Sequence, residues 1–216
     1  MLATIFNALL TAGDAMHALS KALLIRRIVK THSCAGISLK TQLLYVFVYI
    51  TRYAYIFWHF ASWYDLCLKI YYFVSSFYTI YLIAFRYHDS YQQLLDKLPI
   101  IYVIIPSYVI GLIIARPWTP VEVFWAGSLF LEGFALLPQF YMLQLSRNID
   151  SFTADYIATF GSYRAFYLVN WIYNLIVGGE VIWIFLITGS IQTLMFSQFF
   201  YYWLKSKINN EKLQLP

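Results

Sequence analysis

The sequence predicts an all-α membrane protein, seven transmembrane helices in a 3+1+3 arrangement, and three observations carry that reading. The first is composition: of 216 residues, 61% are hydrophobic, 21% aromatic and only 12% charged, about half the charge of a typical soluble domain. Too little polar surface exists to cover so much apolar side chain, and the mean hydropathy is +0.63. The second is a series of seven apolar runs, each near the ~20 residues that cross a bilayer. The third is a short internal repeat, described below.

The runs lie at 4–25, 41–61, 64–85, 98–115, 119–143, 153–176 and 180–204. Short polar breaks separate them: RRIVKTHSCAGISLK, RYHDSYQQLLDK, ARPW, QLSRNIDSF and VGGE. None is long enough to be a separate domain, so 1–216 reads as one membrane domain. Within it, 1–85 forms a first three-helix bundle, 98–115 a linker helix, 119–204 a second bundle and 205–216 a tail. The N-terminus lacks a basic n-region and a small-residue cleavage site, so the first run is expected to be retained.

Basic residues orient the bundle. With a lumenal N-terminus, the cytosolic segments hold Arg26, Arg27, Lys30, Lys40, Arg86, Lys97, Arg147, Lys205, Lys207 and Lys212. The lumenal side then holds only Lys69 and Arg116, leaving Lys21, Arg52 and Arg164 embedded. Ten against two is a strong positive-inside bias and places the C-terminus in the cytosol. The formal net charge of +5 therefore reports topology, and nucleic acid is not an expected partner; membrane lipids are. Cys34 and Cys67 fall on opposite sides and are expected to be unpaired.

The repeat is R-x-x-Y-aliphatic, at Arg52 in ITRYAYIFWHF and at Arg164 in SYRAFYLVNWIY. These sit in the second and sixth spans, which run in the same direction. A three-helix unit ends on the side opposite to its start, so a parallel copy needs one connecting helix. The fourth span supplies it, which gives 3+1+3 with the site expected between the triplets.

Charge at membrane depth is costly and normally faces the bundle interior. His17, Arg52, Glu122, Glu132 and Arg164 sit inside spans, and no acid lies within ten residues of Arg52. Similar depth on neighbouring spans allows a Glu132–Arg164 ion pair. A purely structural pairing of Arg52 and Arg164 with Glu122 and Glu132 stands beside the ligand-site reading on equal terms. Trp125 is one helical turn from Glu122 and shares its face. Lys21 is expected to snorkel toward Arg26 and the cytosolic surface; held inside, four residues from His17, it would disfavour the imidazolium. A lone histidine is a poor metal site, and no cofactor is expected. H-E-x-x-H and G-x-S-x-G are absent, so the chain does not read as an enzyme.

Several stretches together carry a resemblance: HSCAGIS, ITRY, TPVEVFW, LEGFALLPQ, YRAFYLVNWIY and the ending KLQLP. Almost end to end, the chain resembles the ER lumen protein retaining receptors, the KDEL receptors. The LPQ at Leu137–Gln139 is also similar to the PQ-loop and SWEET transporters, which share the 3+1+3 fold. The resemblance implies a pH-dependent receptor that captures the C-terminal tetrapeptide of escaped ER residents in the Golgi and returns them with coat protein I. It implies ER and cis-Golgi membranes as the location. Arg52 and Tyr53 would hold the ligand carboxylate, and Glu122 and Trp125 would meet the first signal residue. His17, Tyr163, Arg164 and Glu132 would form the proton-sensing relay, with Tyr167, Asn170 and Trp171 lining the pocket. Lys205, Lys207 and Lys212 would serve cytosolic sorting.

The chain departs from the family pattern at several positions. Leu10 and Asn174 stand where arginines for ligand acids are expected, and Tyr55 replaces an aspartate; a gap would bring Asn7, not arginine, to the first position. A less acidic preferred signal, or weaker binding of KDEL, is expected. Gln198 replaces an aspartate tied to retrograde transport, and the lysine tail is thinned. The rival reading is a proton-coupled transporter of a sugar or amino acid; two arginines and a histidine suit a carboxylate better than a neutral sugar.

Overall fold

The computed structural model describes residues 2–53, 62–146, 149–179, 182–211 and 213. Among them the regular structure is helical: α1 (Leu2–Thr31), α2 (Leu39–Tyr53), α3 (Trp63–Tyr81), α4 (Ile101–Ile114), α5 (Pro120–Phe134), α6 (Leu137–Leu145), α7 (Ser151–Ile176) and α8 (Trp183–Asn209). A π-turn, Leu82–Arg86, extends α3, and a 3-10 turn follows at His88–Ser90. The chain divides into two compact units, one of 1–24 with 148–216 and one of 25–147. Among the described residues, four stretches are long and apolar enough to cross a membrane: Ala8–Thr31, Trp63–Arg86, Pro120–Leu145 and Trp183–Asn209.

Helix starts follow local chemistry. Ser62 Oγ accepts from the Asp65 N–H at 3.1 Å, Thr119 Oγ1 from the Glu122 N–H at 3.3 Å, and the Asp150 carboxylate from the Thr153 N–H at 2.8 Å. Each satisfies an N–H that the first turn leaves without a helical partner. The fifth apolar run differs from expectation: its 119–143 stretch forms two helices, α5 and α6, parted at Ala135–Leu136. Pro138 explains the break, because it has no N–H to return to the Phe134 carbonyl.

In the 25–147 unit, α4 and α5 meet backbone to backbone. A Cβ on Gly111 would lie 2.5 Å from the Gly127 nitrogen, so only glycine fits this crossing. The α1–α2 loop, where Gly36 takes a positive φ of 79°, is clamped from three sides. Arg27 donates to the Ser33 and Ala35 carbonyls at 2.7 and 2.6 Å. Gln139 of α6 accepts from the Ser38 N–H at 2.9 Å and donates to the Gly36 carbonyl at 2.7 Å. Buried Asp96 accepts from Ser38 Oγ at 2.9 Å, the Lys40 N–H at 3.2 Å and the Tyr91 hydroxyl at 2.7 Å. The PQ glutamine thus acts as a loop anchor. Large exposed apolar residues such as Val74, Phe77, Ile105 and Leu112 stud α3 and α4, as suits helices solvated by lipid.

Candidate functional site

In the 25–147 unit, the last turn of α2 delivers Arg52 to α5. Its Nη1 lies 2.5 Å from Glu132 Oε2. Nε donates to Ser128 Oγ at 3.1 Å and Nη2 to the Ser128 carbonyl at 2.8 Å. Ser128 Oγ spends its own proton on the Trp125 carbonyl at 2.6 Å, which turns its lone pairs to the guanidinium. The side chains of Arg52 and Glu132 are 13% and 4% exposed, so the pair is shielded but its cation is not sealed. Beside it, Tyr53 stacks on Tyr49 at 5.9 Å, and the Lys69 ammonium lies 5.1 Å from the Tyr53 ring centroid. Lys69 is also paired with Asp65, one turn earlier on α3. Glu122 and Trp125 are both half-buried on α5.

The other unit gathers the second group. His17 of α1, 5% exposed, stacks on Tyr163 of α7 at 4.3 Å with 13° between the planes. Phe160 closes on the imidazole edge-on at 5.4 Å. Buried Arg164 donates from Nε to Gln192 Oε1 of α8 at 2.6 Å. Its guanidinium carbon lies 5.3 Å from the Tyr163 ring centroid and 5.9 Å from that of Trp171. Gln192 Nε2 reaches the Tyr163 hydroxyl at 3.4 Å. The Tyr167 hydroxyl donates to Asp14, and Trp171 stacks between Tyr167 at 5.8 Å and Phe185 at 5.3 Å. Asn170 is fully buried. Each unit therefore holds an arginine fixed by a side-chain acceptor, Glu132 and Ser128 for Arg52 and Gln192 for Arg164, and Arg164 also lies against two aromatic rings.

A family model described as ER lumen protein retaining receptor matches residues 33–174. A chain named ER lumen protein-retaining receptor from Entamoeba histolytica is 39% identical, over 98% of this chain and 100% of the relative. Receptor B of Arabidopsis thaliana is 40% identical, over 97% and 99% respectively, and receptor 2 of Homo sapiens is 34% identical, over 97% and 99%. This chain belongs to the ER lumen protein retaining receptor family.

The structure of this receptor arranges the expected residues in two sets. His17, Tyr163, Arg164, Tyr167, Asn170 and Trp171 share one unit; Arg52, Tyr53, Glu122, Trp125 and Glu132 share the other. Glu132 is engaged by Arg52 and Arg164 by Gln192. Lys21 corrects an expectation: it is 0% exposed, so it does not snorkel to the surface. Tyr55 and Lys212 lie outside the described residues. Lys205 is exposed on α8, and Lys207 meets Asp155 at 2.9 Å. Leu10 is half-buried on α1, and Asn174 stands in the last turn of α7.

Sequence reading missed Asp14, Ser128 and Gln192. Asp14 carried a signal, since it precedes His17 by three residues and shares its helix face. Ser128 and Gln192 carried none, being neutral residues whose partners lie 76 and 28 positions away.

Proposed function

We propose that this receptor binds the C-terminal tetrapeptide of ER-resident proteins in acid and releases it near neutral pH, returning its cargo from Golgi to ER. The observation that carries the reading is Arg52: a guanidinium on α2, already holding one carboxylate, with part of its surface open. Arg forks match carboxylates in geometry as well as charge. A peptide's terminal carboxylate would replace Glu132 there, with Tyr53 beside it. Glu122 and Trp125 would meet the first signal residue, and Tyr167, Asn170 and Trp171 would line the path. His17 would be the sensor, with Tyr163, Arg164 and Glu132 completing the relay. Protonated His17 adds positive charge to a site receiving an anion, so acid favours occupancy. One linked proton changes affinity by at most about tenfold per pH unit.

The chain in this reading has seven spans in a 3+1+3 order, a lumenal N-terminus and a cytosolic tail that engages coat protein I through Lys205, Lys207 and Lys212. It cycles between ER and cis-Golgi membranes. Leu10 and Asn174 remove positive charge that would attract ligand acids, and Tyr55 removes an aspartate that would read a basic first residue, so the preferred signal is less acidic than KDEL or KDEL is bound more weakly. The test is a titration of tetrapeptide C-termini from pH 5.5 to 7.5 with Arg52→Ala as control. Binding in acid that falls by about a hundredfold or more in the variant is expected, the scale of losing a buried charge pair. Binding that ignores Arg52 refutes the carboxylate seat; full-strength, selective KDEL binding refutes the altered preference.

A further inference from the structure

Gln192 lies on α8, outside every motif that carries the family resemblance, yet it touches two members of the proposed relay. It is 1% exposed, and both ends of its amide are engaged. Arg164 has only donors, so the amide oxygen must face Nε, at 2.6 Å. That choice leaves the NH2 group toward the Tyr163 oxygen, at 3.4 Å. The tyrosine oxygen then accepts from Gln192, and its own proton points elsewhere. Tyr163 in turn stacks on His17 at 4.3 Å. One amide thereby ties the position of a cation to the ring that covers the imidazole.

The same face of α8 supports the cluster one turn earlier. A Cβ on Gly189 would come within 2.6 Å of the Trp171 ring, so glycine lets that ring sit close to Arg164. A leucine at position 192 would fill the space without the cost of burying an amide. The amide therefore marks a polar requirement. We infer that Gln192 is a positioning residue: it holds the Arg164 guanidinium at a set distance from the Tyr163–His17 stack and so tunes the pH at which the receptor switches.

This inference rests on the proton-sensing reading above. Titratable and charged groups on the helices that form the stack include Asp14, His17 and Lys21 on α1 with Tyr163, Arg164 and Tyr167 on α7; among the described residues of α8, the neutral Gln192 reaches it. Removing the amide takes away this acceptor and should let Arg164 shift toward the stack, and a nearer cation disfavours the imidazolium. A carboxylate at position 192 does the reverse, because it keeps an acceptor for Nε and adds negative charge.

The test uses the full-length receptor in detergent. Tetrapeptide affinity and the peptide-free melting temperature are both measured from pH 5 to 7.5. Gln192→Met should weaken peptide binding in acid by about tenfold, the scale of losing one charged buried hydrogen bond, and move the pH midpoint down. Gln192→Glu should move the midpoint up, and the inflections of the two melting profiles should part in the same directions. Thr188→Val, whose hydroxyl is spent on the Ile184 carbonyl, should move neither. Equal or absent shifts, with only a drop in melting temperature, overturn the inference. If Gln192→Met does not fold, the upward shift in the shape-matched Gln192→Glu decides alone. Wild-type receptor that binds no tetrapeptide sinks the proposed function, while the melting profiles still judge Gln192.

Discussion

Arg52 and Glu132 are joined at 2.5 Å, with Ser128 taking the other two faces of the guanidinium. A buried pair like this is weak evidence for stability, but removing one partner leaves the other stranded. The pair also sets up a competition, because a ligand carboxylate must displace Glu132 to reach the same nitrogens. Glu132→Gln keeps shape and an acceptor oxygen while deleting the charge. Peptide affinity at pH 7.5 should rise toward its acid value, and the ratio between pH 5.5 and 7.5 should shrink by up to about a hundredfold, one proton's share over two pH units. Binding titrations at both pH values measure this. An unchanged ratio would mean that Glu132 does not compete for the seat.

Gln139 has no contact with either arginine group among its described bonds, so its replacement should separate stability from recognition. Gln139→Leu would leave the buried Ser38 N–H and the half-buried Gly36 carbonyl without this partner. Each such loss costs about 1–3 kcal/mol. A clear fall in melting temperature is expected, with the pH midpoint of peptide binding where it was. A moved midpoint would show that the loop anchor takes part in switching.

The Gly111–Gly127 crossing sets a steric limit. At position 111 even a methyl group meets backbone, not a side chain that can swing away. Gly111→Val should therefore exceed the 1–3 kcal/mol of ordinary overpacking and yield little monodisperse protein by size-exclusion chromatography. Normal yield and melting temperature would show that α4 and α5 separate cheaply.

Much of this was legible in the sequence, for physical reasons. Apolar runs announce helices because an unpaired backbone cannot survive in hydrocarbon, and each run that the structure describes is helical. Arg52 stood out because a cation in an aromatic run needs a partner. The partner was harder to name, since depth alone left Glu122 and Glu132 both open to it, and only the packing of α2 on α5 selects Glu132. Hydropathy also hid the α5–α6 break, because Pro138 lowers an apolar average very little while removing a donor. Lys21 misled because a long side chain near the end of an apolar run usually reaches water, whereas here packing covers it. The neutral anchors Ser128, Gln139 and Gln192 acquire their roles from residues remote in the chain.

Tyr91 gives a prediction on the alkaline side, in the loop between α3 and α4. Burial raises its phenol above the ordinary value, helped by the hydrogen bond and the negative charge of Asp96. The folded state thus holds this proton more tightly than the unfolded chain. The resulting stability is fully present below about pH 10, the unfolded value, and is lost as pH climbs toward the raised folded value. Tyr91→Phe gives up the bond to Asp96, costing about 1 kcal/mol at neutral pH, and has no proton to lose. Its melting temperature should start lower than wild type, and the gap should narrow as pH rises from about 9 to 11. Melting curves across that range check it. Two curves that fall in parallel would show that the phenol and Asp96 are not coupled in the folded receptor.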